Sequence, residues 1–72
     1  MGNSNFGPTV RAIRAARGLS QRELAERAGV SSAALGTYER GTRAPSLANA
    51  ILLADALGVT LDQIAGRAPV QF

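Results

Sequence analysis

The chain reads as an all-α domain of five short helices, on three observations. Strand signals are missing, with no alternating β-branched run and no Asn-Gly or Asp-Gly hairpin turn. Helix-capping residues recur along the sequence, and glycines follow them at helical lengths. The 72 residues are 46% apolar but only 4% aromatic, so a single small core must be built from Ala, Leu, Ile and Val. With no cysteine to staple it, such a core supplies only about 3–5 kcal/mol.

Each element follows from its punctuation. Phe6-Gly7-Pro8 sets Pro8 at a first helical position; Val10, Ile13 and then Ala16 or Arg17 follow at helical spacing, and Gly18 stops the first helix. Ser20-Gln21-Arg22-Glu23 is a capping box, in which the Ser hydroxyl and the Glu carboxylate satisfy orphan backbone donors reciprocally. Leu19 and Leu24 form the matching hydrophobic staple, and this second helix runs from Gln21 to Ala28 before Gly29. Ser31 caps a third helix that reaches about Glu39 and closes at Gly41, with Val30 and Leu35 as its staple. After a loop from Thr42 to Pro45, Ser46 caps a fourth helix through Ile51, Leu52, Leu53 and Leu57 to Gly58. Thr60-Leu61-Asp62-Gln63 is a second capping box; with Val59 and Ile64 as staple it opens a short fifth helix ended by Gly66. Residues 1–66 form the domain and 67–72 a C-terminal tail.

The link between the second and third helices is only Gly29-Val30-Ser31, too short for antiparallel packing, so the two helices must cross steeply. Ala25 supplies the small residue such a crossing needs, and Gly29 tolerates the positive φ of the turn. Leu24, Ala28, Val30, Leu35 and Tyr38 fall on the inner faces, which makes Tyr38 a core residue rather than a stacking ring. This is the helix-turn-helix pattern over residues 21–40.

Composition narrows the chemistry. His and Cys are both absent, which removes the usual metal ligands, the usual general base and the thiol nucleophile together. The five carboxylates, Glu23, Glu26, Glu39, Asp55 and Asp62, are too scattered for an acid/base pair. No catalytic residue, metal ligand, cofactor or small-molecule site is expected, and the chain does not read as an enzyme. All eight basic residues are arginine, and residues 11–43 hold seven of them against three Glu. A basic first half suggests a polyanionic partner; the same usage also fits a GC-rich genome in which Arg replaces Lys. Arg11, Arg17 and Arg22 read as solvated surface. No stretch of about 20 apolar residues spans a membrane, and the N-terminus lacks the charged and apolar regions of a signal peptide. A cytoplasmic location is expected.

Three runs carry a family resemblance. They are Ser20-Gln21-x-Glu23-Leu24-Ala25-x-x-Ala28-Gly29-Val30-Ser31, Tyr38-Glu39-Arg40-Gly41-x-Arg43-x-Pro45-Ser46-Leu47, and Leu53-Ala54-x-x-Leu57-Gly58-Val59. Over about residues 6–66 the chain resembles the phage lambda repressor/Cro-type, or Xre-like, DNA-binding domains. The resemblance implies a five-helix domain binding palindromic operator DNA as a dimer, with the third helix in the major groove. It implies that Ser32, Ala33, Gly36 and Thr37 face bases, and that Gln21, Ser31, Arg40, Arg43 and Asn49 face phosphates. For Gln21 the residues agree independently, since a helix N-terminus offers free N–H groups to an anion. The resemblance also pairs Arg14 with Glu39 in a salt bridge between the first and third helices.

The reading face departs from the family pattern. Many relatives carry Gln, Arg or Asn there, able to pair bidentately with a base edge. Here the residues are small, so specificity is expected to lean on DNA shape, on water or on Arg40 at the edge. That thin face also fits a second reading, a protein-interaction module of antitoxin or coactivator type with DNA binding secondary. A homodimer is expected through the apolar surface left over by the first four helices, namely Leu61, Ile64, Val70 and Phe72.

Overall fold

Capping decides where the helices begin. The computed structural model describes residues 5–71, in which α1 (Phe6–Ala16), α2 (Gln21–Ala28), α3 (Ser32–Arg40), α4 (Leu47–Leu57) and α5 (Leu61–Ile64) follow one another without a strand. The Ser20 hydroxyl accepts the Glu23 N–H at 3.0 Å, and the Glu23 carboxylate accepts the Ser20 N–H at 2.8 Å. Thr60 and Gln63 form the second reciprocal box. Ser31 and Ser46 each accept one first-turn N–H, from Ala34 and Asn49. The Ser20 backbone N–H, and after it the Ser20 hydroxyl, hold the Glu23 carboxyl below its ordinary range. That contribution is present at neutral pH and fades as pH falls through the lowered folded-state value.

The first helix starts earlier than its proline suggests. Its N-cap is Asn5, without a side-chain cap, so Pro8 is the third helical residue rather than the first. It still lies in the first turn, where an N–H has no intrahelical acceptor to lose. Arg17 is not simply solvated surface either. Its Nε donates to the Leu57 carbonyl at 2.9 Å, satisfying an orphan acceptor at the end of α4.

Val10 and Ile13 of α1, Leu24 of α2, Leu35 of α3, Leu53 of α4 and Ile64 of α5 have fully buried side chains and meet in one core. Tyr38 is buried beside them, its ring edge-on to Phe6 at 6.2 Å between centroids. Burial of Ile64 corrects one expectation: at 1% exposed it belongs to its own chain's core and has no surface to give a partner. The reason is its place in α5, whose one inward position must close the bottom of the core. Val70 is half-buried against that core, and the Gln63 amide ties the tail down through the Pro69 carbonyl at 2.9 Å. Phe72 lies outside the described residues.

Close approach of α1 to α3 depends on Gly7. A Cβ there would sit 2.6 Å from the Tyr38 carbonyl oxygen and 2.8 Å from that of Glu39, both fixed in the last turn of α3. Helix propensity alone predicts that Gly7→Ala stabilises by up to about 1 kcal/mol. The backbone clash reverses the sign, and we expect a net loss of about 1–3 kcal/mol, read as a lower thermal midpoint. A midpoint above that of the parent would show that α1 can shift without cost.

Candidate nucleic-acid interface

Three helices converge on one buried carboxylate. Glu39, its side chain only 2% exposed, accepts from Arg14 Nε at 2.7 Å and Nη2 at 3.0 Å. The Gln21 amide donates to the same carboxylate at 2.9 Å. Arg14 spends a further N–H on the Leu19 carbonyl at 2.8 Å, just before the cap of α2. Hydrogen bonding to Glu39 is the main cause that holds the Arg14 guanidinium above its ordinary range. The Arg14–Glu39 pair is present as the residue pattern implied. The Gln21 contact, which no local spacing in the sequence announces, turns a two-helix clasp into a joint between α1, α2 and α3.

That joint sets the surface above it. The start of α2 and the exposed side of α3 enclose a shallow depression lined by Ser20, Gln21, Arg22, Ser32, Ala33, Gly36, Thr37 and Arg40. Two of the eight are arginines and none is a carboxylate. Arg22 is only loosely paired with Glu26, at 3.7 Å and with both side chains in solvent. Such a pair is worth little and leaves the cation available.

All four residues expected to read bases lie on this surface, but they are not equally free. Ser32 and Ala33 are exposed. Thr37 donates its hydroxyl proton to the Ala34 carbonyl at 2.6 Å, so its oxygen can only accept from a ligand. Gly36 is buried, because Arg40 lies across it: a Cβ at Gly36 would meet Arg40 Nη1 at 3.2 Å and Gln21 Oε1 at 3.8 Å. Arg40 was expected to flank the recognition helix. Its guanidinium lies over the helix instead.

Of the residues expected to face phosphates, Gln21 lines the depression, while Ser31, Arg43 and Asn49 lie outside its lining. Gln21 and Asn49 each commit one amide N–H, to Glu39 and to the Tyr38 hydroxyl (2.9 Å), which leaves each a second. Ser31 uses its oxygen as the α3 cap, and its hydroxyl proton is uncommitted. Arg43 is exposed in the loop between α3 and α4.

A helix-turn-helix family profile matches residues 10–64. The chain belongs to the helix-turn-helix family. Within it the match falls in the Xre or lambda-repressor-like group of DNA-binding transcriptional regulators that the residue pattern resembled. A Bacillus subtilis protein, the HTH-type regulator YazB, is 38% identical over 60 residues that cover 83% of this chain and 87% of that one. The restriction-modification controller protein C.AhdI of Aeromonas hydrophila superimposes with a TM-score of 0.80 at 40% identity, covering 83% of this chain and 91% of its own. The clp gene regulator ClgR of C. glutamicum gives 0.78 at 31% identity, covering 99% and 97%. Among the described residues of this helix-turn-helix domain, no helix is long and apolar enough to cross a membrane.

Proposed function

We propose that the chain is a sequence-specific regulator that binds a palindromic operator in duplex DNA as a homodimer, with α3 in the major groove. The carrying observation is the carboxylate-free depression formed by α2 and α3, with Arg22 and Arg40 on its wall. Gln21, Ser31 and Asn49, each with a donor left over by its internal hydrogen bonds, contact phosphates together with the exposed Arg43. Their role is to fix the register of α3 on the duplex, while groove-facing atoms read the bases. Acting on operator DNA places the protein in the cytoplasm.

Two recognition helices are needed because a face of Ser, Ala, Gly and Thr reads too little to select a site alone. The contact between copies is better supplied by α4 than by the tail. Leu47 is 69% exposed, and Ile51, Leu52 and Leu61 each about 40%. At helical spacing Leu47, Ala48, Ile51 and Leu52 share the solvent side of α4, where Asp55 is the one charge. With Leu61 of the adjoining α5 this makes an apolar patch on the order of a few hundred Å². A patch almost without charge is self-complementary across a two-fold axis, and covering it supplements a thin core.

Selection of bound duplexes from a random pool tests the reading. The enriched sequence should be an inverted repeat whose half-sites lie about 34–36 Å, one helical turn, apart. In sedimentation the parent should be a dimer and a Leu47→Ser, Leu52→Lys variant a monomer. An enriched site without two-fold symmetry, bound by one chain, would replace this reading with a monomeric one. Absence of any enriched duplex would favour the protein-interaction module.

A further inference from the structure

We infer that Arg40 is a base-reading residue, which recognises guanine by its major-groove edge, and that Gly36 is the residue that makes room for it. The inference rests on the DNA-binding reading and supplies the specificity that the small side chains lack.

Position comes first. At 3.6 residues per turn Arg40 falls about 80° round α3 from Ser32 and about 60° short of Thr37, in the middle of the exposed arc. Side chains on a helix lean toward its N-terminus, so a long residue at 40 covers the turn before it, at 36. That is where the guanidinium lies, with Nη1 3.2 Å from the point a Gly36 Cβ would occupy. An alanine Cβ at 36 would push the guanidinium outward by a few tenths of an ångström, and a bulkier side chain would push it further. A residue near the C-terminal end of α3 thereby places its donors at mid-helix, on the wall of the depression that faces the groove.

Chemistry comes second. Among the described residues the ion pairs join Arg14 with Glu39 and Arg22 with Glu26, and none engages Arg40. The neighbouring Glu39 carboxylate is already engaged by Arg14 and Gln21, and no hydrogen bond joins it to Arg40. Thr37 can only accept and Ala33 only pack, so among the α3 side chains of the depression Arg40 alone can donate two parallel hydrogen bonds; the other guanidinium, Arg22, belongs to α2. The edge that accepts two is guanine O6 and N7.

Duplexes selected by the parent, Arg40→Ala and Gly36→Ala proteins test this, with helical circular dichroism confirming that each is folded. The parent should enrich a guanine at one position of each half-site, and changing that base should weaken binding about 5- to 100-fold. In Arg40→Ala the preference should vanish at that position alone, leaving the rest of the site intact. Gly36→Ala, which keeps every charge, should reduce the same preference. If Arg40→Ala instead weakens all duplexes equally and keeps the parent's sequence, Arg40 is a phosphate contact and the inference falls while DNA binding stands. A guanine preference that Gly36→Ala leaves whole would overturn the role of Gly36. A parent that binds no duplex at low salt would overturn the DNA-binding reading and this inference together.

Discussion

Glu39→Ala should lower the melting temperature by roughly 10–25 °C. Removing that side chain strands two donors at once, the Arg14 guanidinium and the Gln21 amide, both of which point at the vacated carboxylate. Breaking one side of a buried ion pair typically costs about 3–5 kcal/mol, since the surviving charge is left desolvated. Here the lower end applies, because Arg14 keeps the Leu19 carbonyl and its side chain is 16% exposed. A loss of about 3 kcal/mol is most of what a core of this size provides. Melting by circular dichroism reads the effect directly. Arg14→Leu with Glu39→Leu should recover much of it, since apolar replacement of both partners removes the stranded charge. Glu39→Gln melting like the parent would show that the pair adds nothing. Sign also matters for pH. The Arg14 value is raised on folding, so its contribution is complete below the unfolded value and fades only as pH rises through the folded one. Melting of the parent should therefore show no loss from Arg14 at neutral or moderately alkaline pH.

The parts of this molecule that sequence made legible are those whose partners are close in the chain. Capping boxes join residues three apart, so Ser20 with Glu23 and Thr60 with Gln63 mark helix starts without any tertiary knowledge. Glycine stops are equally local, and α2 and α4 end where Gly29 and Gly58 stop them. Long-range chemistry was a different matter. Arg17 reaches a carbonyl 40 residues away, and Gln21 reaches Glu39 across 18, with no periodicity to announce either. Gly7 looked like punctuation beside Pro8, yet its role is set by two carbonyls of another helix. Two other positions are legible from local spacing alone. Ile64 stands at the fourth position of α5, which a hydrophobic staple turns inward, so it was never surface left over. Arg40 stands four residues after Gly36, and that spacing alone lays a long side chain over a position without one.

Raising salt from about 50 to about 200 mM should weaken operator binding by roughly a hundredfold. The estimate follows from the charges at the interface. With Arg40 engaged on a base, Arg22 on the wall of the depression and Arg43 in the loop after α3 leave two cations per half-site for phosphates. A dimer therefore displaces about four counterions, and each contributes a slope of about −0.9 in log affinity against log salt. Gln21, Ser31 and Asn49 donate to phosphates without carrying charge, so they add affinity but little slope. Two substitutions separate these contributions. Arg43→Ala should weaken every duplex about equally and flatten the slope by nearly two units for the dimer, one for each half. Gln21→Ala should weaken binding while leaving the slope unchanged, provided that its melting shows α2 still seated on Glu39. Mobility shifts on one duplex across a salt series measure all three proteins. A parent slope near zero would mean that the arginines of this face do not meet phosphates, and the face would then belong to a protein partner.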